Sequence, residues 1–183
     1  MALILNGTGV VTGLASINDG IITSDDIASG AITAAKMAAG AVVQVVHGTF
    51  ANFITSSSST YADTGLTATI TPSSSSNKIL AFSTILGTGK NTGNTKIGLR
   101  LLRDSTVISV FSTETGRSVD YGANVQVDVG TISSINLDLP ATTSSITYKI
   151  QLASITGVAQ VFINNFGTGP TLGSTLTLME IKG

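Results

Sequence analysis

The sequence has no cysteine and no tryptophan, one histidine and three prolines in 183 residues, and only 10% of its residues are charged. Each scarcity removes a class of chemistry. Without cysteine there are no disulfides, no thiolate nucleophile and no thiolate zinc site. A single histidine, His47, leaves no partner for a histidine-rich metal centre, and no GxSxG elbow is present to make it the base of a serine hydrolase. The formal net charge of -1 comes without the clustered basic face of a nucleic-acid binder, and without an acidic tail or a basic helix for anionic lipid. No stretch approaches the ~18 apolar residues of a membrane span. The start MALILNG has no basic region and too short an apolar run for a signal peptide. The expectation is a protein with no catalytic residues, metal or cofactor, which neither binds nucleic acid nor inserts into a membrane.

What is present is of another kind. Serine and threonine make up about a quarter of the chain, glycine adds 20 residues, and 42% of residues are hydrophobic. Low charge with many small polar and β-branched residues points to an all-β protein with a sizeable core.

Two parts separate. Residues 1–42 are Gly-rich and contain a ten-residue repeat, GIITSDDIAS followed by GAITAAKMAA and the start of a third copy, GAV. Apolar side chains fall every fifth position, at Ile22, Ile27, Ile32, Met37 and Val42, and glycines every tenth, at Gly20, Gly30 and Gly40. Five is the period of neither a helix nor a strand. In each copy Thr23 or Thr33 precedes a run long enough for one helical turn, and the next glycine is a natural stop. Such short turns are not stable alone, and five spaced apolar side chains do not offset the entropy of ordering the segment. The segment therefore reads as an anchoring or oligomerising arm that needs copies of itself, or a docking surface.

Residues 43–183 read as about ten short strands. VVQVVHGTF covers Val42 to Phe50, KILAFSTIL covers Lys78 to Leu86, and KIGLRLLRD places Ile97, Leu99 and Leu101 on one face. NVQVDVG, INLDLP and SITYKIQLA alternate in the same way, with Ile135, Leu137 and Leu139 expected inward and Asn136 and Asp138 outward. Period-two alternation at regular spacing, with no long helical pattern, predicts a jelly-roll-like β-sandwich with an extended N-terminal arm. The last strand, STLTLMEIKG, is apolar on both faces, with Leu176 and Leu178 on one and Met179 and Ile181 on the other. Such a strand is central or lies against another subunit. The arm's need for partners favours the second, making these four residues candidate subunit contacts.

Candidate chemistry is sparse. His47 lies in a strand-like run and reads as structural. Asp25-Asp26 fits the start of a helical turn, where the dipole favours negative charge, better than a cation site between arms. Asp104 fits a turn. Glu114, Arg117, Asp120 and Tyr121 form a charged loop with an aromatic, so Arg117 and Tyr121 are candidate recognition residues. The Gly-rich segments Gly87 to Asn94 and Asn164 to Gly173 lack the GK[ST] and helix of a phosphate loop and read as loops at a sandwich end. Binding concentrates on such loops, and Phe166 is the aromatic placed to touch a partner.

The arm repeat G-x-I-T-x-x-K/D-I/M-A resembles the N-terminal stalks of tail-fibre-like proteins of bacterial viruses. The series TITPSSSSNKILAFSTI, GLRLLRDSTVI and STLTLMEIKG is similar to the C-terminal domain of the same proteins, and loosely to the trimeric ten-strand jelly rolls of the C1q and tumour-necrosis-factor type. The resemblance covers nearly the whole chain through patterns of turn and strand. It implies a homotrimer on the surface of a virion, with no catalytic residues. On that reading the arm anchors a short tail fibre to tail or baseplate protein, and loops touch a host surface glycan or protein. The alternative is a capsid cement or decoration protein whose arm clamps coat subunits. Two arm repeats and one domain are short for a receptor-reaching shaft.

Overall fold

The computed structural model of the chain describes residues 27, 29–33, 36–92, 95–115, 127–155, 159–165 and 173–183. The chain divides into two units, Met1–Met37 and Ala38–Gly183. In the first, Gly30 has a φ of 77°, the left-handed conformation that suits the end of a turn. The Lys36 amide donates to the Thr33 carbonyl at 2.9 Å, closing a single turn after the threonine. Ile27 and Ile32 are exposed and Met37 is half-buried. Ile22 and the Asp25-Asp26 pair lie outside the described residues.

The second unit contains ten strands: β1 (Val42–Phe50), β2 (Ile54–Ser56), β3 (Ala62–Ile70), β4 (Lys78–Lys90), β5 (Ile97–Arg103), β6 (Thr106–Thr115), β7 (Val127–Asp138), β8 (Ile146–Ser154), β9 (Val161–Ile163) and β10 (Ser174–Ile181). Val42, counted with the arm in sequence, belongs to β1. Residues just before it are bound to the body, since the Gly40 amide donates to the Lys182 carbonyl at 2.8 Å and the Lys182 amide to the Ala41 carbonyl at 2.9 Å.

All strand pairs are antiparallel. The first sheet runs β1-β10-β4-β9-β2, with β7 on the other edge of β4, and the second runs β3-β8-β5-β6. With the two three-residue strands β2 and β9 set aside, the first long strand pairs the last, the second the next to last, and so inward to β5 with β6. That nesting is the jelly roll, so the protein is an all-β sandwich of two antiparallel sheets. Its core is built from alternate residues of facing strands. Leu66 and Ile70 on β3, Leu99 and Leu101 on β5, and Ile150 on β8 meet Ile79 and Ile85 on β4 and Leu176 and Leu178 on β10, all at most 1% exposed. At one margin β1 folds over β3 so closely that a Cβ at Gly48 would stand 2.1 Å from the Thr67 carbonyl oxygen. Only a residue without a side chain fits there.

Three expectations are corrected by this architecture. Leu176 and Leu178 are not subunit contacts: β10 lies between β1 and β4, and both side chains are fully buried in the chain's own core. The inward and outward assignment of INLDLP is reversed. Ile135, Leu137 and Leu139 are 66%, 52% and 63% exposed, while Asn136 and Asp138 are half-buried. The cause lies upstream. Val127 to Gly130 and Ile135 to Asp138 lie in one strand, β7, whose register against β4 shifts around Gly130, which has a φ of 99°. A one-residue slip exchanges the two faces of a strand, so Val129 and Ile132 both reach the core and the apolar odd-numbered residues after them face outward. Third, Gly87 to Lys90 are not loop. They extend β4 past a bulge to pair with β7 and β9, with Gly87 at a φ of 52°.

Candidate functional site

The two outer faces of the sandwich differ in kind. The second sheet presents a polar lattice. Lys149 pairs with Asp63 at 2.9 Å, Gln151 donates to the same carboxylate, and Arg100 Nε donates to Gln151 Oε1 at 2.8 Å. The Arg100 guanidinium also stands 4.1 Å from the centre of the Tyr61 ring. The hydrogen bond from Lys149 leads the interactions that hold the Asp63 carboxyl below its ordinary pKa. These groups satisfy one another and face water.

The outer face of the first sheet is apolar. Because partners in an antiparallel ladder share a face, the register reads it off in rows. One row is Val45, Met179, Leu80 and Leu137, across β1, β10, β4 and β7. The next is His47, Thr177, Phe82 and Ile135. On the other side Val42, Ile181 and Lys78 follow, and Leu139 lies just beyond β7. Val45 is 55% exposed and Val42 45%. Within these rows only Lys78 carries a fixed charge. Four strands about 4.8 Å apart and three rows along them give roughly 400 Å² of sheet surface, a contiguous face of the size of the largest apolar patch on a typical monomer, which is often functional. Met179 and Ile181, predicted as subunit contacts, lie on this face. The sequence reading missed the rest of it because β7 was read with its faces exchanged. The one signal pointing there was KILAF, an uninterrupted apolar run whose Leu80 and Phe82 turn away from Ile79 and Ala81.

The polar groups on the inner side of the same strands are sealed. Glu180 of β10 is fully buried. It accepts from the Ser73 amide at 2.7 Å and the Ser73 hydroxyl at 2.8 Å, and from Asn77 Nδ2 and Gln44 Nε2. Burial alone would raise its pKa, but these hydrogen bonds outweigh burial and hold the carboxyl below its ordinary value. Asp138 of β7 accepts from Arg103 Nη1 at 2.7 Å and from the Tyr148 hydroxyl at 2.6 Å, joining the two sheets. Burial, followed by the bond to Asp138, pushes the Tyr148 phenol well above its ordinary pKa. His47, by contrast, is exposed on the apolar face, its Nδ1 2.8 Å from Thr177 Oγ1.

The ends of the sandwich differ too. The chain enters beside its own C-terminus, at the end where Val42, Ile181 and Leu139 lie. At the opposite end, Asn164 has a φ of 56° and is buried. Its Nδ2 donates to the carbonyls of Phe50 and Asn52 at 3.0 Å each, and its Oδ1 accepts from the Ser174 hydroxyl at 2.6 Å. Beside it Phe53 is 54% exposed, with its ring centre 6.0 Å from that of Phe162. Residues 51–60, 159–165 and 173–175 at this end include no charged side chain, while Lys96, whose carbonyl accepts from the Ile155 amide, and Asp128, paired opposite Gly89, lie at the same end. The predicted contact residues Phe166, Arg117 and Tyr121 lie outside the described residues. Asp104 is a turn residue as expected, with a φ of 51° and its Oδ1 accepting from the Thr147 amide at 3.0 Å.

Among the described residues no three His, Cys, Asp or Glu side chains are grouped to hold a metal ion, and no helix is long and apolar enough to cross a membrane. Comparison with known proteins adds no family: no family model matches the chain, and no curated protein shows significant similarity to it.

Proposed function

We propose that this chain is a structural and adhesive protein of a bacteriophage particle, a homotrimer built through the outer face of the first sheet and anchored by its N-terminal arm as a short tail fibre. The observation that carries the self-association is the apolar row Val45-Met179-Leu80-Leu137 with Val42, Ile181, Phe82 and Ile135 in the rows beside it. A second copy is its occupant for two reasons. The face is almost free of charge, so it meets its own image without repulsion. It also begins at Val42, where the chain passes into the arm. Copies related by rotation about an axis along the strands cover their faces and bring their arm entries together in one step. The arm's repeat, too short to order alone, then gains copies of itself. The virion assignment rests on the resemblance of arm and body to phage fibre proteins. Phe53, exposed at the far end, suits contact with a glycan or protein on a host surface.

Immunogold labelling of purified particles, with copy number from quantitative mass spectrometry, tests the location. Label on the tail at a few tens of copies or fewer is the expected result. Label over the shell at hundreds of copies would replace the fibre with a capsid cement protein.

A further inference from the structure

We infer that protonation of His47 releases copies of this chain from one another, so that the assembly proposed above comes apart in mild acid; this regulation rests on the self-association reading. Histidine is the side chain whose charge changes between pH 5 and 8, and His47 is the one histidine in the sequence. Its place is specific. It lies on the outward side of β1, between Val45 and Thr49, in the row shared with Thr177, Phe82 and Ile135. Its Nδ1 meets the Thr177 hydroxyl at 2.8 Å, a contact that neutral imidazole makes in either tautomer.

Among the described residues no carboxylate faces it from the strands around it. Glu180 of β10 and Asp138 of β7 point inward and are saturated by their own partners. Asp63 of β3 is engaged by Lys149 and Gln151. Asp128 of β7 lies near the other end of that strand, opposite Gly89. Lys78 of β4, the fixed charge on the face, is two rows away, and Lys90 of β4 is buried. A proton on His47 therefore places a cation on a mostly apolar face where no described carboxylate pairs it. In the free chain water solvates that charge. In the assembly each copy buries its own, and burying an unpaired charge is strongly unfavourable. The free chain then takes up a proton that the assembled chain rejects. By linkage, falling pH drives the equilibrium toward the free chain.

Sedimentation velocity of the full chain over a concentration series, at about pH 8 and about pH 5.5, tests this with His47→Gln and His47→Lys, and far-UV circular dichroism follows folding. The expected results are an assembled wild type at the higher pH, at least about tenfold weaker association at the lower, a glutamine variant assembled at both, and a lysine variant dissociated at both, all folded. A wild type equally assembled at both pH values, or a glutamine variant that keeps the wild-type acid response, overturns the switch and leaves the assembly standing. A wild type monomeric at both overturns the self-association reading, and this inference with it.

Discussion

Glu180 shows how a single side chain closes one end of this sandwich. Its carboxylate gathers donors from β1 and from the β3–β4 turn, and every bond favours the ionised form over the neutral acid. Because the folded-state pKa is depressed, this contribution to stability is present above the ordinary glutamate range of about 4.3 and is lost as pH falls through the lower folded value. Glu180→Gln should cost about 1–3 kcal/mol at neutral pH and flatten the acid limb of stability, read from urea unfolding midpoints between neutral pH and pH 3. A parallel acid limb in wild type and variant would remove Glu180 as its source. Tyr148→Phe is milder. Asp138 keeps Arg103 at 2.7 Å, so the loss should be about 1 kcal/mol by the same measurement. Gly48→Ala meets backbone, not a yielding side chain, with its Cβ 2.1 Å from the Thr67 oxygen. Overpacking of that kind costs about 1–3 kcal/mol or more, and a melting temperature unchanged by the substitution would show that β1 does not press on β3.

At the scale of the strand, what could be read from sequence was alternation, and what could not was phase. β8 and β5 were legible because they pair with each other without a slip and bury the predicted alternate residues: Ile146, Tyr148, Ile150 and Leu152 in one, and Ile97, Leu99 and Leu101 in the other. β1 and β10 were legible in extent because the same alternation runs along most of their length. β7 was not, because its alternation is equally regular on both sides of Gly130 and nothing in the letters says that the ladder slips there. That slip is decided by tertiary pairing with β4, itself bulged at Gly87. β2, three residues long, left no pattern to find. The two-faced apolar pattern of β10 was visible, but centrality and subunit contact predict the same letters. In the fold the strand is central through Leu176 and Leu178, while Met179 and Ile181 are half-buried on the outer face. These placements separate two otherwise similar substitutions. Leu178→Ala should cost about 2–5 kcal/mol. Leu137→Ala should stay within about 0.5 kcal/mol at concentrations low enough to keep the chain monomeric, by denaturant unfolding. Equal costs would mean that the β7 face is buried within the chain.

At the scale of the molecule, the second sheet carries polar groups on β3, β8 and β5 that satisfy each other, with Val107 and Val110 exposed on β6, the first sheet carries an apolar outer face, and the chain enters at the end where that face begins. A jelly roll needs only its interior to fold, and the apolar outer face of the first sheet is the surface that the proposed partner copy would cover. The body itself, from Ala38 onward, contains its whole core, so removing residues 1–37 should leave a cooperatively melting β domain. The measurement that reaches the central claim most directly is sedimentation equilibrium of the full chain at micromolar concentration near neutral pH, beside an Ile135→Asp/Leu137→Asp variant. The expected result is a wild-type mass three times the 18.5 kDa of the chain, and a folded monomer for the variant, since the two carboxylates would replace apolar side chains on the face that the copies are proposed to cover. A monomeric wild type, or a variant that assembles as the wild type does, would contradict it.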